Sequence, residues 1–150
     1  MTIPVLRKDF TIDPYMIYQA RTLGASAILL ICSLLSQSEL EEYQAIATEL
    51  GMSALVEAHD EQEVEMALRA EASIIGVNNR DLKTFTVDIN NSARYRKMVP
   101  KEVSFVSESG IKTAEDIAKL LENGTDAVLI GETLMRSENK KQALDELRGM

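Results

Sequence analysis

A lysine, a glutamate, an asparagine and an arginine stand where short apolar runs give out; the first two residue types can move protons and the last two can bind an anionic substrate. Lys8 lies in Arg7-Lys8-Asp9, directly after Ile3-Pro4-Val5-Leu6. A lysine amine works as an acid near neutrality where burial or positive neighbours favour its neutral form; it also stabilises developing negative charge. Arg7 is adjacent, but neighbouring strand residues point to opposite faces, so it need not share a pocket with Lys8. Glu57 follows Ala54-Leu55-Val56 and suits a proton acceptor or a stabiliser of a cationic intermediate. Asn78 and Arg80 offer an amide and a planar guanidinium for a carboxylate, phosphate or hydroxyl group. Ser109-Gly110 and Gly131-Glu132-Thr133 are compatible with a phosphate cradle, since glycine admits close backbone approach and helix-start amides point at the ligand.

Each feature also has a plainer reading. Lys8 fits a solvated basic loop, and Glu57 a carboxylate paired with a nearby cation. Asn78-Asn79-Arg80 fits a structural turn in which Asn79 satisfies loop backbone, and either glycine alone fits an ordinary turn. His59 is the only histidine. Alone it supplies no metal cluster, and it reads as a loop or helix-entry residue.

Positioning these groups requires elements, and the apolar patterning supplies them. Strands are expected at Ile3–Leu6, Ala27–Ile31, Ser53–Glu57, Ser73–Val77, Val103–Ser107 and Asp126–Ile130. Helices are expected over Asp13–Leu23 with Pro14 at its first position, from the capping box Ser36–Glu39 to Leu50, and after a possible capping box at Asp60 and Glu63. Further helices fall at about Ile89–Met98, after Thr113 and Asp116 as far as Asn123-Gly124, and around Ser137–Leu147. Six β/α units in succession predict a parallel sheet, and strands apolar throughout predict helices covering it. The pattern alone suits an open doubly wound sheet or part of a closed barrel; a complete barrel wants eight units and roughly 250 residues. A dinucleotide site would want G-x-G-x-x-G after the first strand, where this chain has Arg7-Lys8-Asp9.

The 150 residues fit one domain, 1–150, with one sizeable core and no dividing linker. A net charge of -8 disfavours nucleic acid and anionic membranes as general partners, although local basic groups such as Arg7, Lys8, Arg80 and Lys83 can still receive an anionic small substrate. The start carries no basic region followed by a long apolar stretch, so no secretory signal is expected and the cytoplasm is the default compartment. The single Cys32 cannot form an internal disulfide and is poor ground for a metal site.

Several segments in order carry a specific resemblance. They are Pro4-Val5-Leu6-Arg7-Lys8-Asp9-Phe10, Asp13-Pro14-Tyr15, Leu55-Val56-Glu57-Ala58-His59 and Ile75-Gly76-Val77-Asn78-Asn79-Arg80-Asp81-Leu82, then Val106-Ser107-Glu108-Ser109-Gly110-Ile111 and Ala127-Val128-Leu129-Ile130-Gly131-Glu132. Together they resemble the indole-3-glycerol phosphate synthase family across almost the whole chain. The resemblance implies a partial TIM (β/α)8 barrel whose six units correspond to barrel strands three to eight. It implies a lyase of tryptophan biosynthesis that closes the ring of 1-(2-carboxyphenylamino)-1-deoxyribulose 5-phosphate with loss of carbon dioxide and water. By the same resemblance Lys8 is the general acid, Glu57 the catalytic glutamate, and Asn78 the asparagine that orients it and binds substrate. Arg80 positions substrate, and Phe10 lines the anthranilate side of the pocket. Ser109 contacts substrate, and Gly110, Gly131, Glu132 and Thr133 belong to the phosphate site. A carboxylate beside phosphate is useful only if Glu132 points away. Neither a metal nor a cofactor is implied.

The family's strand-one glutamate and lysine, its N-terminal helix and its strand two have no counterpart in the chain. Exposed sheet edges invite pairing. Self-association, rearrangement or complementation by an N-terminal segment is therefore expected, with a non-catalytic folding fragment or a phosphate-sugar binding module as the alternatives to an enzyme.

Overall fold

The computed structural model describes residues 3–81 and 84–149; Lys83, named above among the basic groups, lies outside them. Six strands form: β1 (Leu6–Arg7), β2 (Ala27–Ile31), β3 (Ser53–Ala58), β4 (Ile74–Asn78), β5 (Ser104–Glu108) and β6 (Ala127–Leu129). Between and after them run α1 (Pro14–Thr22), α2 (Gln37–Glu49), α3 (Glu61–Arg69), α4 (Asn90–Arg96), α5 (Ala114–Glu122), α6 (Glu132–Arg136) and α7 (Lys140–Leu147). The strands lie in the sheet in chain order, β1 to β6. Strands in chain order, each joined to the next through a helix, make a partial (β/α)8 barrel. The chain divides into two compact units, Met1–Ile75 and Gly76–Met150.

In the first unit, β1, β2 and β3 pair in parallel, with Arg7 opposite Ile28, Ile28 opposite Ala54, and Ile31 opposite Glu57. Ile17 and Ala20 of α1, Leu40, Tyr43 and Ala47 of α2, and Val64 and Ala67 of α3 are buried. Their three- and four-residue spacings form the packed stripe of each helix. Side-chain caps fix where the helices begin. Asp13 accepts from the Tyr15 amide with Pro14 in the first turn, and Ser36 and Glu39 form a reciprocal capping box. At the far end of α2, Gly51 takes a φ of +70°, the left-handed turn that stops a helix.

In the second unit, β5 and β6 pair in parallel, Val106 opposite Ala127. Phe105 is fully buried, and Leu120 and Leu147 join the apolar interior. Asp126 locks the start of this pair: its Oδ2 accepts from the Phe105 amide at 2.8 Å and its own amide donates to Phe105 O at 2.9 Å. Thr113 and Asp116 form the second reciprocal capping box, at the start of α5.

Three details depart from the sequence reading. Asp60 caps α3 by accepting from the Glu63 amide, but the Glu63 carboxylate takes the His59 amide rather than that of Asp60. The last expected helix is α7, which starts at Lys140 where Asn139 caps it rather than at Ser137, and an unexpected short helix, α6, precedes it. The first strand is shorter than expected, since Pro4 has no amide to give a ladder.

Candidate functional site

Strand register sorts the first unit's polar groups by face. The Arg7 guanidinium donates from Nη1 to Met16 O of α1 at 2.9 Å, so Arg7, Ile28 and Ala54 lie on the helix-covered face. Period-two alternation puts Leu29, Leu55 and Glu57 on the opposite face, and carried one residue beyond Arg7 it puts Lys8 there too. Lys8 and Glu57 thus share a face at the carboxyl ends of β1 and β3, and Arg7 does not. Lys8 is exposed, whereas Glu57 is only 2% exposed. Phe10 is 64% exposed, and its amide is held by Asp9 Oδ1 at 2.8 Å.

Behind Glu57 lies a cluster that the sequence reading did not anticipate. Glu57 Oε1 is 3.0 Å from His59 Nε2, and His59 Nδ1 is 3.0 Å from Glu63 Oε2. The same Glu63 oxygen accepts from the His59 amide at 2.9 Å. Burial disfavours a charged ring, but the hydrogen bonds to Glu57 and Glu63, with their charges, outweigh it and raise the His59 pKa from 6.5 to about 9. The three side chains form a line rather than converging on a point, and no group of three metal-ligating side chains forms among the described residues. Burial, helped by the negative charges of Glu63, Glu57 and Asp60, pushes the nearby Cys32 thiol up to about 12, which removes it as a nucleophile.

The second unit builds its polar groups around Asn79, which is fully buried. Asn79 Nδ2 donates to Ser107 Oγ at 3.0 Å and to Ser109 O at 3.1 Å. Its Oδ1 accepts from the Ser92 amide at 3.2 Å and from the Ser92 hydroxyl at 2.8 Å. Its backbone donates to Glu108 O and accepts from the Asp88 amide. One amide side chain therefore fixes the end of β4, the entry to α4 and the turn after β5. Asn78, the neighbouring candidate, accepts the Arg80 amide on Oδ1 at 3.0 Å.

Arg80 Nη2 donates to Glu132 Oε2 at 2.7 Å, and Arg136 Nε lies 3.0 Å from Glu132 Oε1. The bond from Arg80, with the charges of Arg136 and Arg80, holds the Glu132 carboxyl below its usual range. Its carboxylate is thus committed to two guanidinium groups. Ser109 and Gly110 both have positive φ, +65° and +79°. A Cβ on Gly110 would collide with Val87 Cγ1, so this turn is closed to larger residues. Gly131 precedes α6, and Thr133 donates from Oγ1 to Ile111 O at 2.7 Å, tying α6 to the segment after β5.

Glu108 is a further carboxylate that the sequence reading left without a role. It ends β5 as Glu57 lies near the end of β3, and it is 1% exposed. The strand-end pattern that singled out Glu57 could have found it. At the opposite end of β3, a groove of about 770 Å³ lined by Gln44, Thr48, Ser53 and Arg69 contains none of the candidates.

Comparison with known proteins gives these positions a context. The family model described as indole-3-glycerol phosphate synthase matches residues 1–147. The indole-3-glycerol phosphate synthase of Ruminiclostridium cellulolyticum is 61% identical over 149 residues, covering 99% of this chain and 57% of the relative. That of Leuconostoc mesenteroides is 54% identical over 146 residues, covering 97% and 56%. The chain therefore spans little more than half the length of these relatives. Among solved structures, 3-hexulose-6-phosphate synthase from Salmonella typhimurium superposes with a TM-score of 0.82 at 14% identity, covering 97% of this chain and 72% of that one. A chain of the tryptophan synthase complex from Pyrococcus furiosus gives 0.74 at 16% identity, covering 100% and 68%. At such identities the likeness is one of fold alone.

Proposed function

The chain belongs to the indole-3-glycerol phosphate synthase family, and from that membership we propose that it carries the greater part of an indole-3-glycerol phosphate synthase active site. The proposed substrate is 1-(2-carboxyphenylamino)-1-deoxyribulose 5-phosphate, and the product is indole-3-glycerol phosphate with release of carbon dioxide and water. Lys8 and Glu57 take the acid–base chemistry, and Asn78, Arg80 and Ser109 the handling of substrate. Lys8 gives a proton to the substrate carbonyl as the aromatic ring attacks it, and Glu57 supports the cationic and proton-transfer steps. Phe10 offers its exposed ring to the anthranilate portion. Asn78 and Arg80 orient the substrate, with Ser109 beside them. Gly110, Gly131 and the amides of Glu132 and Thr133 hold the phosphate, the Glu132 carboxylate being turned onto Arg80 and Arg136.

The observation that carries this reading is the shared face of Lys8 and Glu57 at two strand ends. Strand ends of this kind are where (β/α)8 enzymes place catalytic groups. The compartment consistent with it is the cytoplasm. The family relatives are longer than this chain, so full turnover is assigned to the chain completed by their remaining N-terminal length. Ile3, Val5, Phe10, Ile12 and Tyr15 expose apolar surface around β1, an end strand of the sheet order, which favours such complementation or self-association.

The test supplies substrate to the purified chain, alone and with the N-terminal segment of the Ruminiclostridium cellulolyticum relative, and follows indole fluorescence. Product on complementation supports the enzyme. Tight substrate binding without product would replace it with a phosphate-sugar binding module, and neither binding nor product would contradict both.

A further inference from the structure

We propose that His59 is the positioning residue for Glu57, an imidazolium clamped between Glu63 and Glu57 that fixes how the Glu57 carboxylate faces and keeps it an anion. The inference rests on the reading of Glu57 given above. His59 Nε2 and Nδ1 each lie 3.0 Å from a carboxylate oxygen. Between two ionised carboxylates a neutral imidazole, with one donor and one acceptor, would set a lone pair against one of those oxygens, whereas the doubly protonated ring turns an N–H side toward each. The ring is further fixed from behind. Glu63 Oε2 binds the Nδ1 side and also accepts the His59 backbone amide, while the Glu63 amide donates to Asp60 Oδ1 at 2.9 Å. Glu63 stands in the first turn of α3, where the helix dipole favours an anion.

The charged groups that act on the ring are Glu57 on β3 and Glu63 on α3; Asp60, which caps α3, and Cys32, in the 3-10 turn Cys32–Leu34, lie near these carboxylates. The thiol stays neutral, and the carboxylates of β3 and α3 support a cation here, in agreement with a His59 pKa of about 9. The ring side chain is 14% exposed, so the pairing with Glu57 is largely shielded from water and couples the two groups strongly. A mere loop clamp would have no bearing on turnover. A positioning imidazolium makes turnover depend on the proton it holds.

His59 is the only histidine in the chain, so its ring nitrogens give one unambiguous signal each in an NMR titration of the 150-residue protein. Both nitrogens are expected to be protonated at neutral pH. The midpoint near 9 is expected to fall in Glu57→Gln and in Glu63→Gln. A single protonated nitrogen at pH 7, or a midpoint indifferent to both substitutions, would overturn the proposal. In the completed enzyme, Glu63→Gln is expected to move the alkaline limb of kcat to lower pH in step with the His59 midpoint, with KM changed less than about two-fold; a limb that stays in place overturns the positioning role. Should Glu63→Gln not fold, His59→Gln replaces it, and the limb near 9 must then vanish. Absence of any turnover by the completed wild-type protein would strike the reaction assignment instead, and the nitrogen signals would then decide the clamp by themselves.

Discussion

Asn79 shows how a residue's role can hide in long-range partners. As a loop asparagine it reads as a turn former, and its neighbours Asn78 and Arg80 attract the chemical interest. Its actual partners, Ser92, Ser107 and Ser109, lie 13 to 30 residues away, beyond what local spacing reveals. Replacing Asn79 by Ala takes the acceptor from the buried Ser92 hydroxyl and the amide donor from Ser107 Oγ, and is expected to cost roughly 2–3 kcal/mol in urea unfolding. His59 hid for the same kind of reason, since a lone histidine carries no local signature of two carboxylate partners. Its raised pKa has a defined consequence for stability. The folded value of about 9 exceeds the unfolded 6.5, so the folded state binds the proton more tightly. The stabilisation is complete below 6.5 and is lost as pH rises through 9. Thermal midpoints measured across that window are expected to fall more steeply in the wild type than in His59→Gln. Glu57, by contrast, was legible, because a carboxylate near the end of an apolar strand interrupts the pattern that buries the strand.

At the scale of elements, legibility followed chemistry written into adjacent residues. The Ser36–Glu39 and Thr113–Asp116 boxes and the helix stop at Gly51 needed only a few consecutive positions to be recognised, and the structure has them. Thr113→Ala should therefore cost about 1 kcal/mol, read from the shift in denaturation midpoint. The short helix α6 was not legible. Five residues are too few for a helical period, and Gly131 provides no side-chain cap. The turn after β5 was legible only as a glycine. What makes Gly110 necessary is Val87, together with a φ of +79°. Gly110→Ala is expected to destabilise by roughly 1–3 kcal/mol and to weaken phosphate binding. Unchanged affinity for inorganic phosphate in a folded Gly110→Ala protein would remove this turn from the phosphate site.

For the whole molecule, six β/α units followed from alternating apolar runs and helical periods, while the choice of a partial barrel over an open sheet came from ordered motifs. The chain covers 57% of the length of the Ruminiclostridium cellulolyticum relative. With apolar side chains exposed around β1, it is expected to self-associate by size-exclusion chromatography with light scattering and to shift to a defined complex when the N-terminal segment is added. A monodisperse monomer at high concentration would speak against this. The most direct test of the central claim compares turnover by the completed wild-type protein with its Lys8→Met variant. The wild type is predicted to release one carbon dioxide for each indole-3-glycerol phosphate formed, and the variant to lose about 10²–10⁴-fold in kcat with its circular dichroism unchanged. A folded Lys8→Met protein that turns over near the wild-type rate would contradict the assignment.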